Sequence, residues 1–189
     1  MTRNEAYQIL KENVKSENLI RHHLACEAVM RALYLRLNTS PNTQAIEEWG
    51  IVGLLHDADY ELSKDTPEKH TLILEQKIGA KLPPELMYAI KSHNWKNNKV
   101  EPQSSLDWSI YCCDELTGLI VAAALVNPDK KLATLTVDSV LKRFKEGSFA
   151  KGADRKQIGM CAEKLQIPLN EFIQIALTSM QQIAPYLGL

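Results

Sequence analysis

The 189-residue sequence predicts an all-α protein, and three observations lead there. The strict apolar–polar alternation that marks a half-buried strand is absent. Apolar residues recur instead at helical spacings. Helix-start signals are also frequent, in the form of small polar caps and prolines placed at first helical positions.

The elements follow in order. Thr2-Arg3-Asn4-Glu5 has capping-box spacing and opens a helix over 4–15. Leu19, His22, Cys26, Val29, Leu33 and Leu37 form one stripe of a helix over 18–37. A third helix over 43–57 carries Ala45, Trp49, Val52 and His56 on one face, with Trp49, Gly53 and Asp57 beside them. Thr66-Pro67 starts a helix over 67–81 that aligns His70, Leu74 and Ile78. Pro83-Pro84 starts one over 84–94, with Leu86, Ile90 and His93 in register. Ser104 or Ser105 caps a long helix over 105–126, whose stripe of Ile110, Asp114, Thr117, Val121 and Leu125 includes a carboxylate. Further helices are expected over 136–145, 153–165 and 168–186. The linkers between them are short and polar, which suits one packed domain over 1–189 with the last helices covering the bundle.

Composition narrows the function classes. With 45% hydrophobic residues, 24% charged residues and a net charge of −1, no global field draws the chain to a nucleic-acid polymer or an anionic membrane. The N-terminus lacks the apolar run of a secretory signal, so a cytoplasmic location is expected. Leu116 to Pro128 is the longest uncharged stretch in the helical middle; it is too short to span a bilayer and reads as a core helix. Cys26, Cys112, Cys113 and Cys161 form no CxxC pair and are expected as reduced, buried thiols. The Ile175 to Tyr186 segment is amphipathic and leaves monomer and homodimer both open.

The informative residues are polar groups that enter apolar stripes. His22 lies inside the stripe of its helix, whereas His23 is rotated about 100° towards Glu27, so His22 is expected to be the inward member of the pair. His56 and Asp57 close the third helix, and Asp114 interrupts an apolar face. A buried, unpaired carboxylate is costly and neutralises or finds a cation. Two imidazoles and two carboxylates from three apolar faces therefore invite a shared divalent ion. Mixed nitrogen and oxygen donors favour Mn, Fe, Co, Ni or Zn over Mg or Ca. The plain alternative is a set of satisfied core histidines, with Asp114 paired to a lysine.

Four segments in order, Leu19-Ile20-Arg21-His22, Gly53-Leu54-Leu55-His56-Asp57, Ile90-Lys91-Ser92-His93 and Cys113-Asp114-Glu115-Leu116-Thr117-Gly118, resemble the HD superfamily of metal-dependent phosphohydrolases. The likeness covers about residues 18–128, and Phe149-Ala150-Lys151-Gly152 is similar to a segment of the small stand-alone bacterial members. The resemblance implies an orthogonal helical bundle with His22, His56, Asp57 and Asp114 as metal ligands. His70 and His93 resemble the extra histidines of members that hold two ions; with two ions, Asp57 is the expected bridge. The doublet is followed by Ala58-Asp59-Tyr60-Glu61 rather than Gly-Lys, and Gly-Tyr-Pro is missing, which sets this chain apart from the cyclic-dinucleotide branch.

The expected chemistry is hydrolysis of a phosphate ester on a nucleotide or another small phosphorylated metabolite. Asp57, Asp59 or Glu61 is expected to take the proton from water, and Lys91, Lys151 and Arg155 to meet the phosphate. Lys142, Arg143 and Lys145 extend that basic segment, and Trp95, Trp108 and Tyr111 either pack the core or stack on a base. Two rival readings are a non-catalytic metal-binding regulator and an oxygen-using di-iron enzyme. The fold alone does not choose among them.

Overall fold

The computed structural model describes residues 1–189 and contains helices without strands. Helix α1 spans Arg3–Asn13, α2 Glu17–Leu37, α3 Thr43–Leu55, α4 Tyr60–Ser63, α5 Leu72–Ile78 and α6 Pro84–His93. They are followed by α7 over Trp95–Asn98, α8 over Ser105–Leu125, α9 over Val137–Lys145, α10 over Arg155–Lys164, α11 over Leu169–Gln182 and α12 over Ala184–Leu187. The caps explain the starts. Thr2 and Ser104 form reciprocal capping boxes with Glu5 and Asp107, and Asn42 accepts from the amides of Gln44 and Ala45.

Helix α8 runs through the middle of the bundle. It packs against α2, α6, α9, α10 and α11, while α2 lies along α3 and is covered by α11 and α12. This is why α8, long and apolar enough to cross a membrane by length and composition, is mostly buried inside the protein. One continuous apolar core joins Ala6 of α1 to Leu187 of α12. All four cysteines are free and buried. Trp95, Trp108 and Tyr111 pack edge-on and tilted against one another at 5.7–5.9 Å, which places them in the packing rather than on a free stacking face.

Helices α2 and α3 approach closely at Gly53. A Cβ there would lie 2.6 Å from the backbone oxygen of Cys26. That crossing brings the end of α3 against the middle of α2.

The elements differ from sequence expectation where tertiary contacts override local pattern. The helix expected over 43–57 ends at Leu55, and residues 56–59 turn into the short α4. The helix expected over 67–81 is broken: a 3-10 turn over Pro67–Lys69 is followed by α5, with Thr71 between them at φ 73°. A β-branched residue in the left-handed region is strained. The carboxylate of Asp59 holds it there, accepting from the amides of Thr71 (3.0 Å) and Leu74 (2.8 Å). The linker expected between the 84–94 and 105–126 helices contains α7, and the helix expected over 168–186 breaks between α11 and α12, just before Pro185.

Candidate metal centre

The fold brings six of the expected side chains to one place. His22 comes from the second turn of α2, His56 and Asp57 from the turn after α3, His70 from the break before α5, His93 from the last residue of α6, and Asp114 from α8. They form two groups. In the first, His22 Nε2 lies 3.0 Å from Asp114 Oδ1 and 3.2 Å from His56 Nε2, and His56 Nε2 is 3.5 Å from Asp114 Oδ1. In the second, Asp57 Oδ1 lies 2.9 Å from His70 Nε2 and 3.1 Å from His93 Nε2, and the two nitrogens are 3.0 Å apart. Asp57 Oδ2 points towards the first group, 3.8 Å from His56 Nε2. One carboxylate thus faces both groups.

These spacings permit a direct test of fit. Donors about 2.1 Å from a shared ion lie about 3.0 Å apart at right angles and about 3.4 Å apart at the tetrahedral angle. Both groups fall on or close to those separations, so each could hold a metal ion.

The outer ring nitrogens explain why the inner ones point inward. His56 Nδ1 donates to the Gly53 carbonyl (2.8 Å) and His93 Nδ1 to the Ile90 carbonyl (2.5 Å). A carbonyl only accepts, so both rings, when neutral, present an Nε2 lone pair to the centre. His70 Nδ1 donates to Asp59 Oδ1 at 2.7 Å. Thr117 Oγ1 donates to the Asp114 carbonyl (2.8 Å) and can accept from His22 Nδ1 (3.2 Å). Such outer partners are the usual supports of metal-binding imidazoles.

Charge follows the same arrangement. Burial opposes ionisation at His22, His56, Asp57, His70 and Asp114, and the pairings overcome it. For Asp57 the neighbouring His56 charge and the bonds from His70 and His93 hold the carboxyl well below its ordinary range. Bonds from His22 and His56 do the same for Asp114. Reciprocally, Asp57 and Asp114 push His56 up to about 10, and Asp57 and Asp59 push His70 up to about 9. The two carboxylates thus demand positive charge, met by protons when no cation is present.

Several side chains sit elsewhere than expected. His23 is the more deeply buried of its pair, 0% exposed, because α2 is covered on more than the stripe that holds His22. Its ring packs 5.1 Å from that of His56, and neither nitrogen has a hydrogen-bond partner. Burial, reinforced by His56, drives its pKa well down, so it is neutral. Asp59 is not a solvated acid: it is 1% exposed, and both oxygens are taken by His70, Thr71 and Leu74. Burial works against its charge, but those bonds outweigh it and lower its pKa. Glu61 caps the chain between α1 and α2 by accepting from the amides of Lys15 (2.8 Å) and Ser16 (3.1 Å), away from the centre.

The expected phosphate cations are displaced too. Lys91 turns to Glu75 (2.8 Å), on a groove apart from the centre. The Arg155 guanidinium is spent on backbone carbonyls, Ala150 and Ala153 at 2.6 Å together with Phe144 and Phe149, and so clamps the loop between α9 and α10. Lys151 is exposed in that loop; its neighbours Ala150 and Gly152 line a recess beside His22 and Asp114.

A polar cavity of about 280 Å³ opens over Asp57 and Asp114. Lys64, Lys96, Asn97, Glu115 and Gln157 line it, and sequence reasoning singled out none of them for a role there. Their signal is tertiary: α4 and α7 are too short to announce themselves by periodicity. Glu115 Oε2 accepts from the Asp154 amide (2.9 Å), and burial, with Asp114 beside it, raises its pKa. Cys26 belongs to the first group by position, 3.8 Å from His22 Nε2, but burial pushes its thiol well up and keeps it protonated.

Comparison with known protein families, with curated proteins and with solved structures found no match. The site is therefore read on its own geometry.

Proposed function

We propose that this chain is a divalent-metal-dependent phosphohydrolase of the HD type, with the orthogonal bundle that type implies. One observation carries the reading: six His and Asp donors stand at coordination spacing in two groups, with Asp57 facing both. In this reading His22, His56, Asp114 and Asp57 hold one ion, and Asp57, His70 and His93 hold a second. Bound divalent ions supply a water of lowered pKa and neutralise charge on phosphoryl oxygens.

The protein's own groups supply the rest. Asp59, Thr117 and the Gly53 and Ile90 carbonyls fix the imidazoles. Lys64 brings positive charge to the mouth over Asp57, whereas Lys96 there is paired with Asp154. Asp57 faces both donor groups, and Asp59 and Glu61 are committed elsewhere, so the proton role falls to Glu115, which lines the cavity and whose Oε1 has no hydrogen-bond partner.

The test is phosphate release from a panel of phosphate esters by protein loaded with Mn, Co or Ni. Chelator should abolish turnover and added metal should restore it. Glu115→Gln should lower kcat about 100-fold or more at unchanged metal content. Stoichiometric metal with no turnover on any ester would leave a metal-binding regulator instead. A second reading, an oxygen-using di-iron enzyme, draws on the same carboxylate facing two donor groups. Two irons with an oxidised absorbance band and no phosphate release would select it.

A further inference from the structure

On the phosphohydrolase reading, we infer that the substrate is a small sugar or polyol phosphate, held by Gln157 and Asn97 through its hydroxyls and by Lys64 through its phosphate. Size comes first. A cavity of about 280 Å³ falls just below the roughly 300–1,000 Å³ of pockets that take drug-sized ligands. The chemistry of the wall comes second. A nucleobase needs a flat apolar face to stack on. The aromatic cluster nearest the mouth is occupied with itself, since Trp95, Trp108 and Tyr111 pack ring against ring. Tyr60 is the one tyrosine or tryptophan in the cavity wall; it packs perpendicular to His70 at 5.9 Å and is exposed, a lone ring with no second aromatic opposite to sandwich a base.

What the cavity offers instead is acceptor oxygen. Gln157 is 5% exposed and donates its Nε2 to the Tyr111 carbonyl at 2.7 Å, which leaves Oε1 as its uncommitted atom. Asn97 donates its Nδ2 to Asn94 Oδ1 at 2.7 Å, which leaves its own Oδ1. Acceptors of this kind read O–H donors. A phosphate group is met differently: Lys96 is paired with Asp154, while Lys64 has neither an ion pair nor a hydrogen bond and is the free cation of the mouth. Hydroxyls on one end and a phosphate on the other describe a sugar or polyol phosphate.

The experiment is calorimetric titration of the Mn-loaded protein with ribose 5-phosphate, glycerol 3-phosphate, AMP, phosphoethanolamine and inorganic phosphate, with phosphate release followed in parallel. Ribose 5-phosphate or glycerol 3-phosphate should bind at least about tenfold tighter than AMP, whose added base finds neither room nor a stacking face in the cavity. Gln157→Met should weaken the sugar phosphate by about tenfold and leave inorganic phosphate within about twofold. Asn97→Ala, on the exposed α7, should act in the same direction if the buried Gln157 variant fails to fold. Lys64→Ala should weaken both ligands alike. AMP or phosphoethanolamine binding as tightly as the polyols, or no binding by any of them, overturns the inference. Selective binding of sugar phosphates without turnover upholds the subsite and rejects the hydrolase reading alone.

Discussion

Gly53→Ala tests whether the α2–α3 crossing sets the geometry of the centre. The new methyl would sit 2.6 Å from the Cys26 oxygen and 2.8 Å from the Glu27 amide nitrogen, where ordinary contact begins at 3.4 Å. Both obstacles are backbone, so no side chain can swing aside, and the helices must separate by roughly 0.8 Å, the shortfall from van der Waals contact. His22 rides on one helix, and His56 follows the other with its Nδ1 anchored to the Gly53 carbonyl. A working metal site tolerates about 0.2 Å in its donor distances. The variant should therefore lose metal affinity at the first group along with stability. Overpacking of this sort costs about 1–3 kcal/mol, at about 2–4 °C of Tm per kcal/mol for a chain this size. Gly118→Ala is the control, because a Cβ there meets nothing within 4 Å. The assay is thermal melting with and without Mn, with elemental analysis of the purified proteins. A Gly53→Ala protein that melts and retains metal like the Gly118→Ala protein would falsify the reasoning.

Three further outcomes are expected. His23→Leu removes two buried, unpaired ring nitrogens and should stabilise the fold by about 1–3 kcal/mol at unchanged metal content; a lower melting temperature or lost metal would show the ring to have a partner. Asp59→Asn takes the carboxylate from His70 Nδ1 and should weaken the second ion about 10–100-fold while sparing the first, read by metal titration; equal loss at both groups would refute the division. The third concerns pH. His56 and His70 are raised to about 10 and about 9, so in chelator-treated protein their stabilising contribution is complete below about pH 6.5 and fades as pH climbs through 9 to 10. Asp57 and Asp114 are lowered, so theirs is present above about pH 4 and fades in acid. Metal displaces the imidazole protons, so its affinity should rise with pH over the same alkaline range. Metal-free melting temperatures that increase from pH 7 to 9 would contradict this.

The helical class and the main helix starts were legible because capping signals such as Thr2–Glu5 and Ser104–Asp107 act locally. The inward placement of His22, His56 and Asp114 was legible because each interrupts an apolar stripe. The setting of His70 is not legible in the sequence. A helix through 67–81 is the local preference, and the left-handed Thr71 that turns His70 inward is held by Asp59, a residue from another element. The burial of His23 is not legible in a single apolar stripe, because its helix packs on several sides. Arg155 and Lys91 look alike in sequence to any surface cation. Only the fold shows carbonyls around one and Glu75 beside the other.

The grip of Arg155 has a consequence for variation. Its guanidinium holds main-chain oxygens of residues 144, 149, 150 and 153, not their side chains. The path of that turn is thus insulated from the identity of most residues along it. Side chains facing the recess by His22 can be exchanged, altering what the rim admits, while a single arginine keeps the rim in position.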